Sequence, residues 1–316
     1  MTATGPDVGD QHRALIYGER GRFVDGVGAF VREGLDGGER VLVAMPLEKV
    51  GWLRDGLGGD ADAVDVWDAD DLYARHGPML RALMEYLERH ASSAQGRVRV
   101  VAEQRLAQRT RADVRAYMRY EAAANVAYRG HAVSVLCPYD AQALPEGIVQ
   151  DALRTHPIVL TPGGARCSEL FTEPRSFVRE RTSVRPPPPD AAGCALERLE
   201  DIGTARELVR TRGEAAGLAP RDVEDMVLAA GEVAANALVH GRPPRTVWCY
   251  ADDGALVCHV HDAGAGPSDP LVGYMPPARR SREAHGLWVA HQLCGIVEVA
   301  ADESGAHVYL RAPLPG

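Results

Sequence analysis

Four consecutive prolines, Pro186–Pro189, divide this chain of 316 residues into two parts. Proline lacks a backbone N–H and has a fixed φ, so such a run cannot continue a helix or an inner strand and favours a stiff, extended spacer. At roughly 100–200 residues per domain, the chain is long enough for one domain on each side of the spacer. We predict domains over residues 10–172 and 193–316, joined by a proline-rich linker over residues 173–192.

Strands and helices alternate along the N-terminal part, which is typical of βαβ units in a mostly parallel sheet. The apolar residues of each strand are consecutive rather than alternating, as expected for strands that are covered on both faces. We therefore predict an α/β domain with strands at Leu15–Tyr17, Arg40–Met45, Val64–Trp67, Val98–Ala102, Val133–Cys137 and Ile158–Leu160. Helices are predicted at Phe23–Leu35, Leu47–Leu57, Pro78–His90, Thr110–Ala127 and Pro145–Thr155.

The order of elements changes in the C-terminal part, where two helices come first and strands follow. Helices grouped against antiparallel strands are typical of an α+β two-layer sandwich. Residues 263–285 are irregular and rich in proline, glycine and arginine, and they are long enough to act as a lid. Helices are predicted at Ala195–Ala216, Asp222–Val239 and Leu287–Cys294, and strands at Thr246–Tyr250, Ala255–His261, Ile296–Ala301 and Ala306–Arg311.

The basic residues exclude several classes of enzyme. Lys49 is the only lysine, and no glycine run precedes it as a P-loop requires. A protein kinase with a lysine on strand β3 is excluded for the same reason, and Schiff-base chemistry has Lys49 as its sole candidate. The formal net charge of −9 argues against nucleic acid as a direct partner, because such proteins carry a basic footprint.

The six cysteines show neither a Cys-x-x-Cys pair nor the spacing of zinc ligands. The sequence has no signal segment and no apolar run long enough for a membrane span, so we predict a cytoplasmic protein with reduced thiols. Cys249 and Cys258 are expected to face each other across a hairpin as buried, small apolar residues. Four histidines lack a partner at ligand spacing, and we expect no metal ion on them: His259, His261, His285 and His291.

A glutamate and an asparagine lie inside an otherwise apolar helix of the C-terminal part. Glu232 and Asn236 are four residues apart, so they share one face of that helix. Polar groups buried in such surroundings need partners, because an unpaired one is costly. This pair alone is a weak indication of a site.

A carboxylate and several glycines follow in a fixed order. Asp262 ends a predicted strand, and Gly264 and Gly266 after it let the backbone approach a ligand closely. About twenty residues later Gly286 and Leu287 open a helix, whose free N–H groups suit an anion such as phosphate. The order and spacing of these segments are more specific than any one of them.

The three segments resemble the ATP-binding boxes of the GHKL (Bergerat-fold) ATPases. Glu232–Gly241 resembles the N box, Asp262–Gly266 the first glycine box, and Gly286-Leu287-Trp288 the second. The short lid and compact size resemble the anti-sigma-factor serine/threonine kinases within that group. The resemblance implies a Bergerat two-layer sandwich that uses ATP and Mg²⁺ as cofactors.

The same resemblance implies a role for each residue. Asn236 would bind the Mg²⁺ that bridges the ATP phosphates, and Asp262 would accept a hydrogen bond from the adenine amino group. Glu232 would be the general base that takes a proton from an attacking hydroxyl. Further implied contacts with the lid and the phosphates fall on Gly264, Gly266, Gly286 and Leu287, with the Arg279–Arg282 cluster of the lid helping to neutralise phosphate.

Two departures from the family pattern keep an alternative open. Ala284 stands where the second glycine box usually has its first glycine, and Ser304–Val308 contains no threonine to lie beside the adenine aspartate. The alternative is a non-catalytic, protein-binding switch with a degenerate nucleotide site. A histidine kinase is disfavoured, because Ala195–Ala216 has no histidine and His156 precedes a proline at a strand start.

Polar residues within apolar surroundings mark the N-terminal domain. Ligands bind at strand ends in such folds, although buried polar groups that hold loops are an equally good explanation. With His12, Tyr17, Gly34-Leu35 and the segment Thr155-His156-Pro157, the pattern resembles the MEDS sensory domain over about residues 10–172. This resemblance implies a RecA-like sheet without a working P-loop that senses a small molecule. The candidate sensor residues are Glu103, Glu121, Asn125, Cys137, Tyr139 and Asp140.

Together these features predict a two-domain regulator with an α/β sensor domain before an α+β ATPase domain. The resemblance implies that the ATPase domain sequesters a sigma factor and phosphorylates a serine or threonine of an anti-anti-sigma (STAS) protein. It also implies a homodimer, because related kinase domains are dimers. We expect a small-molecule signal at the first domain, and no membrane partner.

Overall fold

The protein forms two compact units. The first ends at Phe177 and the second starts at Val178, while the short segment Arg75–Pro78 groups with the second. Among the residues that the structure describes, no helix has the length and apolar character needed to cross a membrane. This computed structural model describes residues 12–91, 96–277 and 285–315.

A seven-stranded sheet is the centre of the first unit. Its strands are β1 (His12–Tyr17), β2 (Arg40–Met45), β3 (Asp65–Asp68), β4 (Val98–Ala102), β5 (Val133–Asp140), β6 (Ile158–Thr161) and β7 (Gly164–Cys167). They lie in the order β3-β2-β4-β5-β1-β6-β7. All pairings are parallel except that of β6 with β7. The predicted mostly parallel sheet is therefore confirmed.

Helices cover this sheet. They are α1 (Arg20–Asp36), α2 (Leu47–Leu57), α3 (Ala69–Leu72), α4 (His76–His90), α5 (Arg111–Ala127) and α6 (Glu146–Thr155), with 3₁₀ turns at Gly58–Ala63 and Leu106–Gln108. Apolar side chains of α1 and α2, among them Phe23 and Leu53, pack with Val43 of β2 and Leu136 of β5 in one core. Every residue of β4 is buried, as expected for a strand covered on both faces.

The second unit pairs helices with a five-stranded antiparallel sheet. After α7 (Pro174–Glu180) it consists of β8 (Ala192–Ala195), α8 (Asp201–Ala215), α9 (Pro220–His240), β9 (Arg245–Asp252), β10 (Ala255–Asp262), α10 (His285–Leu293), β11 (Ile296–Asp302) and β12 (Gly305–Pro313). The strand order is β11-β12-β10-β9-β8. Leu256, Cys258 and Val260 of β10 join the core with side chains of α8, α9 and α10. The predicted α+β arrangement is confirmed.

One helix prediction was wrong at its beginning. Residues 192–195 form β8, which pairs with β9, and α8 begins only at Asp201. The Asp201 carboxylate accepts hydrogen bonds from the backbone N–H groups of Glu197 and Arg198, both at 2.8 Å. These bonds close a turn before the helix, as short acidic side chains commonly do.

The predicted linker also differs from the structure, since α7 occupies its first half. Pro174 is the first residue of α7, where the missing N–H has no intrahelical partner to lose. Cys249 and Cys258 are directly opposed in the β9–β10 pair, and both are buried, free thiols. Burial raises the pKa of each thiol, that of Cys249 to about 12.

Candidate functional site

The N box and the second glycine box lie in contact in the second unit. Asn236 is on the last half of α9, which packs against α10 and β10. A Cβ atom on Gly286 would lie only 2.8 Å from the Asn236 side-chain nitrogen. The amide of Asn236 therefore lies against the N-terminus of α10, where the first N–H groups of a helix have no intrahelical acceptor. Leu287 packs into the core beneath this end.

The carboxylate of Asp262 is fixed at the end of β10. Its Oδ1 accepts hydrogen bonds from the backbone N–H of Gly264 at 2.7 Å and from that of Arg242 at 3.1 Å. A Cβ atom on Gly241 would lie 2.4 Å from the Asp262 carboxyl carbon, so the last turn of α9 approaches it closely. Among the described residues no hydrogen bond reaches Oδ2, which remains to accept one from a ligand.

The loop between α9 and β9 joins these two groups. The Arg245 guanidinium donates to the carbonyls of Ala237 at 2.8 Å and Gly241 at 3.0 Å, at the C-terminus of α9. The backbone N–H of Ala263 donates to the Arg242 carbonyl at 2.8 Å. The positions of the α9 terminus and the β10 terminus are thus coupled through backbone groups.

Glu232 lies one helical turn before Asn236 on α9 and is half-buried. In the part of the chain that the structure describes, its carboxylate forms neither a hydrogen bond nor an ion pair. Gly266 of the first glycine box has a φ of +70°, which a side chain would strain. Ala306 is paired with Asp262 across β10 and β12, so a methyl group occupies the position beside this aspartate.

Some predicted features lie elsewhere. Ala284 and the predicted lid cluster Arg279–Arg282 lie outside the described residues.

The ring nitrogens of His259 on β10 and His307 on β12 lie 3.0 Å apart, and His259 stacks on Tyr309. Burial, with the neighbouring histidines, lowers the pKa of His259 to about 3. His259 is therefore a neutral, packed side chain.

A cavity of about 190 Å³ opens at the carboxyl edge of the parallel sheet in the first unit. Within it the ammonium of Lys49 contacts Glu103, and it also donates to the Tyr17 hydroxyl at 2.6 Å. The Tyr17 hydroxyl donates to Glu103 at 2.7 Å. Burial raises the pKa of Glu103, and the charge of Lys49 opposes that rise. The lining includes Lys49, Trp52, Glu103, Arg105, Tyr139 and Asp140.

The six candidate sensor residues fall into two groups. Glu103, Tyr139 and Asp140 line the cavity, whereas Glu121, Asn125 and Cys137 belong to a buried cluster with His12 and His156. Lys49 was not among the predicted site residues, although its position just after β2 and its being the only lysine were signals that could have indicated it.

Comparison with known proteins identifies both regions. Residues 11–157 match the family model of MEDS, the methanogen/methylotroph DcmR sensory domain, and residues 196–312 match that of the histidine kinase-like ATPase domain. No curated protein matches the chain.

Among solved structures, the RsbU and RsbW domains of Rv1364c from Mycobacterium tuberculosis match at 22% identity, with a TM-score of 0.31. The match covers 41% of this chain and 34% of that one, so this chain spans about a third of that structure's length. The chain therefore combines a MEDS sensory domain over residues 11–157 with a histidine kinase-like ATPase domain over residues 196–312.

Proposed function

We propose that this chain is an anti-sigma-type regulator whose ATPase domain binds Mg²⁺–ATP and phosphorylates a serine or threonine of a partner protein. The observation that supports it best is the contact of Asn236 with Gly286 at the N-terminus of α10. Asp262 is held at the end of β10 in the same unit, with Oδ2 left to accept from a ligand. Together these groups suit a nucleotide, because Asn236 and the N-terminus of α10 would bind the phosphates and Asp262 would bind the base.

The donors present fit the implied cofactors. The Asn236 side chain supplies an amide oxygen, a ligand type that Mg²⁺ accepts, and the free N–H groups of α10 suit phosphate. Mg²⁺, when bound, would neutralise part of the phosphate charge. Asp262 selects adenine, since a carboxylate accepts from an amino group.

Glu232 is suited to proton transfer. Among the described residues its carboxylate has no partner, and four residues of the helix, about 6 Å of rise, separate it from Asn236. A general base must be in hydrogen-bond reach of the hydroxyl it deprotonates. In this proposal Glu232 takes the proton of the attacking serine or threonine hydroxyl.

The proposed partners follow from the resemblance of the ATPase domain to anti-sigma-factor kinases. We propose a sigma factor as the sequestered partner, a STAS-type anti-anti-sigma protein as the phosphate acceptor, and a homodimer as the assembly. The MEDS cavity would sense a small molecule, and its lining charges suit a polar one. Lys49 and Arg105 offer donors, and Glu103 and Asp140 offer acceptors.

One observation favours the alternative of a non-catalytic switch. Ala306 faces Asp262 across the strand pair, so no hydroxyl from this position of β12 assists recognition of the base. In that case the unit would bind its partner without transferring phosphate.

Calorimetric titration with Mg²⁺–ATP tests nucleotide binding. Asp262→Asn is expected to weaken binding by about 1.5–3 kcal/mol, or about 10–150-fold, as for a hydrogen bond to a charged group. Asp253→Asn, in the exposed β9–β10 turn, is the control and should bind as the wild type does. Absence of binding, or equal affinity in wild type and Asp262→Asn, would contradict the proposal.

Incubation with labelled ATP and a candidate STAS protein tests transfer. Glu232→Gln preserves side-chain shape, so we expect it to bind ATP normally and to lose phosphate transfer. Transfer that persists in this variant would show that Glu232 is not the base. ATP binding with no transfer by the wild type to any acceptor would support the non-catalytic switch.

A further inference from the structure

Four side chains with metal-ligating atoms converge inside the first unit. His12 begins β1, Glu121 lies on α5, Cys137 lies on β5, and His156 directly follows α6. All four are at least 94% buried. One ligand atom from each, a ring nitrogen of each histidine, the thiol Sγ and a carboxylate oxygen, can be chosen so that all lie within 4.8 Å of one another.

The distances match those between ligands of one ion. The Glu121 Oε2 atom lies 3.1 Å from His12 Nε2 and 3.2 Å from His156 Nε2. The Cys137 Sγ atom lies 3.4 Å from His12 Nε2 and 3.7 Å from Glu121 Oε2. Ligands at the usual zinc bond lengths in a tetrahedron are about 3.3–3.8 Å apart, so these four distances are close to those of a tetrahedral zinc site.

A second layer of hydrogen bonds orients His12. The Asn125 amide nitrogen donates to the carbonyls of Thr155 at 2.8 Å, Glu121 at 3.1 Å and Ala122 at 3.2 Å. The Asn125 amide oxygen must therefore be the atom that faces His12 Nδ1 at 3.2 Å. Nδ1 of His12 then carries a proton, and Nε2 is left to present a lone pair to the cluster.

The same arrangement holds for His156. Its Nδ1 lies 2.8 Å from the Ala152 carbonyl, an obligate acceptor, so Nδ1 is again the protonated nitrogen. Metal-binding histidines typically donate their other N–H to a carbonyl or carboxylate in this way. Both rings are thus prepared as Nε2 ligands.

Charge also favours a cation at this point. Glu121 is 6% exposed, and its Oε2 atom lies against the Nε2 atoms of His12 and His156, which carry no proton in this arrangement. A buried charge in apolar surroundings is costly unless it is compensated, and a metal ion would compensate it.

We propose that His12, Glu121, Cys137 and His156 form a binding site for one divalent transition-metal ion of the zinc type. Two imidazoles, a thiolate and a carboxylate suit Zn²⁺, Co²⁺ or Fe²⁺ and are a poor set for Mg²⁺ or Ca²⁺. Binding releases the Cys137 thiol proton, because the thiolate is the ligand. The inference is independent of the proposed ATP chemistry, since these residues all belong to the first unit.

The site also connects to the sensor cavity. Tyr139 lines that cavity, and its ring lies edge-on to His156 with centroids 5.5 Å apart. A bound ion would fix His156 and with it one wall of the cavity. The metal would thus form part of the structure that receives the signal.

Titration of the full-length, tag-free, chelator-treated chain with Co²⁺ tests the proposal. We expect one equivalent to bind with the intense visible bands of tetrahedral Co²⁺ and a thiolate charge-transfer band, and Zn²⁺ to displace it. Cys137→Ser should lose the charge-transfer band. Asn125→Ala should keep that band but bind about 10–100-fold more weakly, as expected for a group that orients a ligand.

Cys258→Ser, a buried cysteine of the other unit, is the matched control and should keep the wild-type spectrum. X-ray absorption of the zinc-loaded wild type needs no variant and should show one sulfur and three nitrogen or oxygen neighbours. A wild-type chain that shows no charge-transfer band, or a Cys137→Ser variant that retains it, would overturn the proposal. Absorption that shows only nitrogen and oxygen neighbours would do the same.

Discussion

Lys49 and Glu103 form a largely buried ion pair in the first unit. The glutamate side chain is 4% exposed and the lysine side chain 13% exposed, and each is the other's counter-ion in the cavity of the first unit. Removing one member of such a pair is more harmful than removing both, because it leaves a buried charge without compensation.

We predict that Lys49→Met lowers the free energy of unfolding by about 3–5 kcal/mol near neutral pH. The double variant Lys49→Met/Glu103→Gln should recover most of this loss. Burial raises the pKa of Glu103, so the folded state binds the proton more tightly than the unfolded chain, whose glutamate titrates at about 4.3.

The contribution of this carboxyl to stability is therefore complete below about pH 4.3 and is lost as pH rises through its folded pKa. Urea unfolding at pH 5 and pH 7 should show a smaller deficit for Lys49→Met at the lower pH. An equal deficit at both values, or no recovery in the double variant, would contradict this prediction.

Gly286 is a second case, in which a missing side chain makes room for the amide of Asn236. We predict that Gly286→Ala displaces the Asn236 amide, because the new Cβ would lie 2.8 Å from its nitrogen, and that Mg²⁺–ATP binding falls at least tenfold. The control is Gly203→Ala on α8, where a Cβ meets nothing within 4 Å. Calorimetry should show unchanged affinity for this control.

At the scale of elements, α9 carries Glu232 and Asn236, and its C-terminus is held by Arg245. Carbonyls at a helix end need such donors, because they have no partner within the helix. The two charged hydrogen bonds keep the end of α9 beside the Asp262 carboxylate. We infer that stability and nucleotide affinity depend together on this one arginine.

We predict that Arg245→Met lowers the free energy of unfolding by about 1.5–3 kcal/mol and also weakens ATP binding. Arg210→Met is the control, since the ion pairs of Arg210 with Glu224 and Glu207 are exposed, and it should leave the unfolding midpoint unchanged. Thermal unfolding and calorimetry on both variants check the prediction. If Arg245→Met loses the predicted stability but binds ATP with wild-type affinity, the two effects are separate and the coupling is refuted.

At the scale of the whole molecule, the chain between the two matched regions is not a free spacer. Arg185 lies against the sheet of the second unit: its backbone N–H donates to the Tyr309 hydroxyl, and that hydroxyl donates to the Arg185 carbonyl, both at 2.8 Å. The Arg185 guanidinium pairs with Glu298 at 3.0 Å, and the Ser183 N–H donates to the same carboxylate at 2.8 Å. The segment before Pro186 is therefore part of the second unit.

We predict that Tyr309→Phe accelerates cleavage of this segment by thermolysin before Val184, because local release exposes the backbone. The phenyl ring remains, so packing is retained while both hydrogen bonds are lost. Tyr250→Phe on β9, which is separated from β12 by β10, is the control and should be cleaved at the wild-type rate. Equal rates for Tyr309→Phe and the wild type would show that these bonds do not hold the segment.

Much of the fold could be predicted because it depends on local patterns. The bounds of β2 and α2 agree with the prediction to the residue, since a short apolar run and an amphipathic helix are local signals. β7 and β8 were missed, because each has four residues and little apolar character. Their strand state depends on pairing with β6 and β9, which sequence periodicity does not reveal.

The candidate sites divide in the same way. The sequence alone determined the order of the boxes and the positions of Glu232, Asn236 and Asp262. Two of these residues are four apart on one helix and the third ends a strand, so each position follows from local spacing.

Only the tertiary structure decided that His12 and Cys137, 125 residues apart, lie 3.4 Å from each other, and that the lone Lys49 compensates Glu103. The physical reason is that backbone periodicity encodes neighbours within an element, whereas contacts between elements arise from packing of the whole sheet and its helices.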